Sequence, residues 1–142
     1  MGLDINRVYG KHIRWNYNTL HRIRHLAAVS TGWVGTYNEF YDLQTDNKTW
    51  SMFSQYRQLM HFCDAEGVFI SDAFLSEVDY SKSFFLGSFD DLKAEINKLN
   101  SWLMDNVDYV RKYDNYEYNT EQVAKFAAML NEEDAQDIII FH

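Results

Sequence analysis

KHIRWNYNTLHRIRHLAAV, Lys11 to Val29, reads as a helix with an oily side and a cationic side. At 3.6 residues per turn, Ile13, Leu20, Ile23 and Ala27 share one face with Tyr17 at its edge, which predicts a single amphipathic helix over the whole stretch. On that helix Arg14, Asn18, His21 and His25 follow at steps of four, three and four. They form one polar row beside the apolar face. The run VSTG, 29–32, is the expected stop, because glycine takes a left-handed cap without a Cβ penalty. Arg24 falls near the apolar side, where it either snorkels to water or meets a buried carboxylate.

Upstream, MGLDINRVY alternates Leu3 and Ile5 with Asp4 and Asn6, a strand pattern closed by Gly10. Downstream, 32–35 reads as a turn, and 36–43 fits a short helix or an edge strand equally. A second helix is expected from Asp46 or Asn47, with Trp50, Phe53, Tyr56, Met60 and Cys63 inward and Gly67 at its end. Residues 68–71 read as a short strand, 72–80 as a loop or helical turn, and 83–86 as a strand stopped by Gly87. Ser88 then caps the longest helix, with Asp90 and Asp91 in its favourable first turn. Leu92, Ile96, Leu99, Leu103 and Val110 hold one face over about 24 residues, with Val107 beside them. The run 113–119 reads as a polar-aromatic loop. Asn119 or Thr120 caps a last helix that turns Val123, Phe126, Ala127 and Leu130 inward. Residues 137–142 form a strand whose four consecutive apolar residues suit a central place in a sheet. The expected architecture is one α+β domain over 1–142: a short parallel or mixed sheet of about four strands, with roughly four helices packed on one face.

Composition agrees with a folded domain. Of 142 residues, 46% are apolar and 17% aromatic, too many for a disordered chain. The single cysteine, Cys63, forms no disulfide within one chain and suits a reducing, cytoplasmic setting. No basic start followed by an apolar run marks a signal peptide, and the longest apolar run, 138–141, is far too short to span a membrane. The net charge of −8 is uneven. Residues 1–38 carry five bases against Asp4 alone, a net of +4, and the remainder carries 20 acids against eight bases, a net of −12. Such polarity steers partners without specifying a fold.

The row Arg14, Asn18, His21, His25 is the first candidate site. Arginine offers a planar fork of donors to phosphate or carboxylate, histidine moves protons near neutral pH, and asparagine orients either. Asp4, if it faces the same side, orients His21 as a carboxylate orients a catalytic imidazole. Asp4 and His21 are therefore the candidate catalytic pair, and Arg14, Asn18 and His25 the candidate ligand-binding residues. The same row also serves as a plain solvated helix face. No metal site is expected. His21 and His25 stand at i, i+4, but zinc wants three or four ligands and the glutamate of HExxH is missing, while His61 and Cys63 point different ways on a helix. The scattered glycines form no phosphate loop, and no cofactor motif is present.

Met1-Gly2-Leu3-Asp4-Ile5, then Asn18-Thr19-Leu20-His21, then Ser83-Phe84-Phe85-Leu86-Gly87-Ser88 occur in that order. In this the chain resembles a group of small phage and bacterial proteins. They begin MGLD, carry N-x-[IL]-H on an early helix and place an F-F-x-G-S turn before a late helix. The departures are a Tyr-Trp-Arg-Lys run that here reads Ile13-Arg14-Trp15-Asn16, and an aromatic ending that here reads 138–142 without match. That group has no assigned activity, so the resemblance implies a phage-type origin and a shared fold but no reaction.

The functional expectation is a phage-type accessory protein that binds a protein partner, through either the cationic row of the first helix or the acidic face of the late helices, needs no cofactor and does not enter membranes. A nucleic-acid target would use Lys11, Arg14, Arg22 and Arg24 on phosphates, against which the net −8 argues. The alternative is a small enzyme or nucleotide-binding protein that uses Asp4, Arg14, Asn18 and His21. Assembly of copies through the many aromatics is the plainer third option.

Overall fold

The computed structural model describes residues 2–7, 12–45, 53–61, 67–77, 85–132 and 137–141. The stretch from Lys11 to Val29 is not one helix. His12–Asn16 is a strand, β2, paired antiparallel with β1, Gly2–Arg7. Leu3 lies opposite Trp15 and Ile5 opposite Ile13, so the apolar residues of both strands share one face. The helix α1 starts only at Tyr17 and runs to Ser30. Its cap is Asn16, whose Oδ1 accepts from the Thr19 N–H at 2.7 Å. Ile13 fits the helical period and the strand period alike, and the partner strand settles which one is used. Arg14 thereby leaves the helical row. The end of α1 is as expected: Gly32 takes φ 97°, its N–H donates to the Val29 carbonyl at 3.0 Å, and the Trp33 N–H donates to Ala28 at 3.3 Å.

After α1 come α2 (Tyr37–Thr45), a 3-10 turn (Ser54–Tyr56) leading into α3 (Arg57–His61), β3 (Gly67–Ile70) and a second 3-10 segment (Asp72–Glu77). β4 (Phe85–Ser88), α4 (Phe89–Asp105), α5 (Val107–Val110), α6 (Tyr116–Leu130) and β5 (Asp137–Phe141) complete the order. The ambiguous 36–43 stretch is helical because Thr36 and Glu39 form a reciprocal cap. The Thr36 Oγ1 accepts from the Glu39 N–H at 3.2 Å, and the Glu39 carboxylate accepts from the Thr36 N–H at 3.2 Å. Phe53, Tyr56 and Met60 are buried as expected, whereas Asp46, Asn47, Trp50, Cys63, Ser83 and Phe84 lie outside the described residues. Gly67 opens β3 rather than closing a helix, and Gly87 lies within β4. Ser88 does cap α4, accepting from the Asp91 N–H at 3.2 Å.

The long helix is shorter than its apolar stripe. It breaks at Asn106, whose side chain donates to the Trp102 carbonyl at 2.8 Å and takes an acceptor the helix would use. The last helix starts earlier than expected, because Asn115 adopts φ 58° and turns the chain at once into α6.

The strands form one mixed sheet in the order β2-β1-β5-β3-β4, with β3 and β4 parallel and all other pairs antiparallel. Among the described residues stand five strands where about four were expected and six α-helical segments where about four were expected. β5 occupies the central place its apolar run implied. Leu3, Ile5 and Trp15 of the sheet join Leu20 and Ile23 of α1, Leu92, Ile96 and Leu99 of α4, and Val123, Phe126 and Leu130 of α6 in one core. Burying these side chains supplies about 1.5–3 kcal/mol each before conformational entropy is charged. Arg7 closes the end of α6. It is buried, and its guanidinium donates to the Met129 and Glu132 carbonyls and to the Glu132 carboxylate, where a helix C-terminus favours a cation. Arg24 is buried too and does not reach water; its Nε donates to the Leu59 carbonyl at 2.9 Å. No helix among the described residues is long and apolar enough to cross a membrane.

Candidate functional site

Alternation along β1 and β2 sends Asp4, Asn6, His12 and Arg14 to the sheet face opposite Leu3, Ile5 and Trp15. There the Arg14 Nη1 donates to both Asp4 carboxylate oxygens at 2.9 and 2.8 Å, and the His12 Nε2 lies 3.1 Å from Oδ1. The His12 hydrogen bond, aided by the Arg14 guanidinium, holds the Asp4 carboxyl below the usual carboxylate range. Asp4 and Arg14 are thus brought together with His12, a residue the sequence reading passed over.

Asn18, His21 and His25 remain a row on α1, and α2 lies along them. The Tyr37 hydroxyl donates to Asn18 at 3.4 Å. His21 meets Tyr41 edge-on, with ring centres 5.4 Å apart. His25 is enclosed by Trp33, Tyr37, Phe40 and Tyr113 at 5.8, 6.0, 5.6 and 4.9 Å. The row is chiefly the seam between two helices.

At one end the seam opens into a hollow of about 620 Å³. Its walls are Arg22, His25 and Leu26 of α1, the segment 34–39, Lys112, Tyr113 and Asp114 from the turn after α5, and Asn119 of α6. Of the predicted row only His25 lines it; Asp4, Arg14, Asn18 and His21 do not. His25 is 2% exposed. Its Nε2 donates to the Gly35 carbonyl at 3.2 Å, and because a carbonyl only accepts, Nε2 carries the proton. Burial pushes the imidazole pKa below its ordinary value, the Gly35 bond opposes this, and the Arg22 charge adds to it, which favours the neutral ring. Gly35 is required here: a Cβ would lie 2.4 Å from the Trp33 ring.

The cations of the hollow are held on rings. The Arg22 guanidinium lies 4.2 Å from the Tyr37 ring centre, and its buried Nε has no hydrogen-bond partner among the described residues. The Lys112 ammonium lies 4.6 Å from Tyr109 and 5.2 Å from Tyr113. Glu39 is committed to its cap. Buried Asn119 completes the floor. No three His, Cys, Asp or Glu side chains cluster as metal ligands among the described residues.

The sequence reading missed Gly35, Tyr37, Lys112, Tyr113 and Asn119 as site residues. The T-x-x-E cap at 36–39 was the available signal, since it makes 37–45 a helix and brings Tyr37 over α1. No comparable signal joins 112–119 to α1, because that contact is a product of the tertiary fold. No protein-family model, curated protein or solved structure matches this chain.

Proposed function

We propose that the chain is a phage-type accessory protein that acts by binding, and that its hollow takes a planar, anionic small molecule of nucleotide type. The observation that carries this reading is the Arg22 guanidinium, stacked on Tyr37 at the cavity with a buried Nε that has no hydrogen-bond partner among the described residues. An arginine already ordered on a ring loses little freedom on meeting an anion, and an unmet buried donor gains from an acceptor. Tyr37 and Tyr113 offer flat apolar surfaces to a ring, and Lys112 supplies a second positive charge. Two of the remaining polar groups are committed to the fold, which favours binding over turnover. His25 is tied through Nε2 to Gly35, and Glu39 is tied to the start of α2. Asp4 and Arg14, which the alternative enzymatic reading required, neutralise each other on the far face of the sheet.

Thermal melting with a panel of nucleoside monophosphates and inorganic phosphate tests the proposal. At least one nucleotide raises the melting temperature of the wild type, by the equivalent of about 2.7 kcal/mol at a hundredfold excess over Kd. Phosphate alone does less. Arg22→Ala weakens the nucleotide at least tenfold, the usual scale for a lost charged hydrogen bond, and Asp4→Asn leaves it unchanged. A panel without effect on the wild type, or equal affinity in Arg22→Ala, overturns the reading.

A further inference from the structure

A second depression, of about 390 Å³, runs between α4 and α6 and shares no lining residue with the hollow. Two helical stripes build it. Asn100, Leu103 and Met104 of α4, continued past the break by Val107 of α5, stand on one side, and Glu117, Thr120, Glu121 and Ala124 of α6 stand at i, i+3, i+4 and i+7 on the other. Leu103 and Val110 form a buried floor, while Met104 is 65% and Val107 38% exposed. Large apolar side chains left open between two packed helices form the trough into which a third helix fits.

The polar groups of the trough say what kind of helix. The segment 90–137, which supplies both walls, carries twelve acids against five bases. The one lining cation, Arg111, is already engaged: its Nε donates to the Tyr116 hydroxyl at 3.0 Å, and Nη1 lies 3.7 Å from Asp108. On the facing stripes, Asn100 Oδ1 and Thr120 Oγ1 have no hydrogen-bond partner among the described residues. Of the two lining acids, Glu121 is bridged to Lys125 at 3.1 Å and Glu117 accepts from the Tyr116 hydroxyl at 2.8 Å, so it is the acidic excess of the whole segment, with the unmet oxygens, that calls for donors. A second copy that presented this same face would bring the same acids against these walls, so like charge disfavours a symmetric pairing.

We infer that the trough between α4 and α6 docks an amphipathic helix of a protein partner, with its apolar stripe on Met104 and Val107 and with lysine or arginine along its flanks. The inference does not rest on the reading of the hollow, with which the trough shares no lining residue.

The test uses the whole protein and a fluorescein-labelled Leu/Lys peptide with leucines at i, i+3, i+4 and i+7, read by fluorescence anisotropy at two salt concentrations. The ordered peptide binds, and binding weakens as salt rises. The pair Met104→Ser with Val107→Ser, both at exposed positions, weakens it about tenfold, and so does Glu117→Lys with Glu121→Lys. Three results overturn the inference: equal binding of a scrambled Leu/Lys peptide, unchanged affinity in the serine pair, or a dimer in sedimentation that the serine pair abolishes. The first reduces the surface to bulk charge, and the last assigns the trough to a second copy.

Discussion

Gly35 shows how a single position sets the site. Its carbonyl holds the buried His25, and its missing Cβ lets the Trp33 ring lie against the backbone. Gly35→Ala forces that ring away and loosens the cage around His25. Overpacking of this kind costs about 1–3 kcal/mol, and urea denaturation is expected to show a lower midpoint with an unchanged slope. The glycine itself was visible in GWVG, but its purpose was not, since Trp33 folds back only because α2 and Tyr113 enclose the same imidazole. Arg22 was equally visible as a charge. Its stacked position depends on Tyr37, fifteen residues away on another helix.

Among the elements, α3 is too short to hold itself together and is fastened from outside. Glu95 of α4 accepts from the Gln58 and Leu59 N–H groups, both at 2.9 Å, and Arg24 of α1 donates to the Leu59 carbonyl. Burial pushes the Glu95 pKa up to about 7; the two N–H bonds and Lys98 oppose this, and Asp91 adds to it. Because the folded pKa is raised, the native state holds the proton more tightly than the unfolded chain. The stability linked to Glu95 is present below its ordinary value of 4.5 and is lost as pH rises through about 7. His25 runs the other way. Its lowered pKa gives stability above the ordinary 6.5 that is lost as pH falls. Glu95→Gln removes the first slope and leaves the second, so the variant's stability rises from pH 5 to 7 more steeply than that of the wild type. Urea titrations at several pH values read this directly, and parallel curves for the two proteins would count against it. The elements were mostly legible where a local signal existed: Ser88 as a cap, Gly32 as a stop, and the apolar stripe of α4. The misreading of 12–16 has a physical source, since local periodicity carries no knowledge that Leu3 and Ile5 need partners.

For the molecule as a whole, strands near both ends with helices between were enough to indicate an α+β domain, and the IIIF run was enough to indicate a central strand. The strand order was not legible, because it rests on pairings between distant segments. The same distance scattered the predicted site: alternation in the hairpin put Asp4 and Arg14 on one face of the sheet, while the helices buried His25 on the other. The central strand also sets an order of events. Its nearest register partner in sequence, Ile70, is 67 positions away from Asp137, and Arg7 pairs with Ile138 across nearly the whole chain. A sheet joined by such remote pairing is slow to form. Until β5 arrives, β1 and β3 each keep a bare margin of unpaired backbone that can capture another chain. A fragment of residues 1–136 is therefore expected to lack a cooperative melting transition by circular dichroism and to sediment as aggregates, although it retains the hollow's lining residues. On a ribosome, the hairpin and the β3–β4 pair would wait unjoined, and the interval before β5 emerges is when a chaperone would matter most.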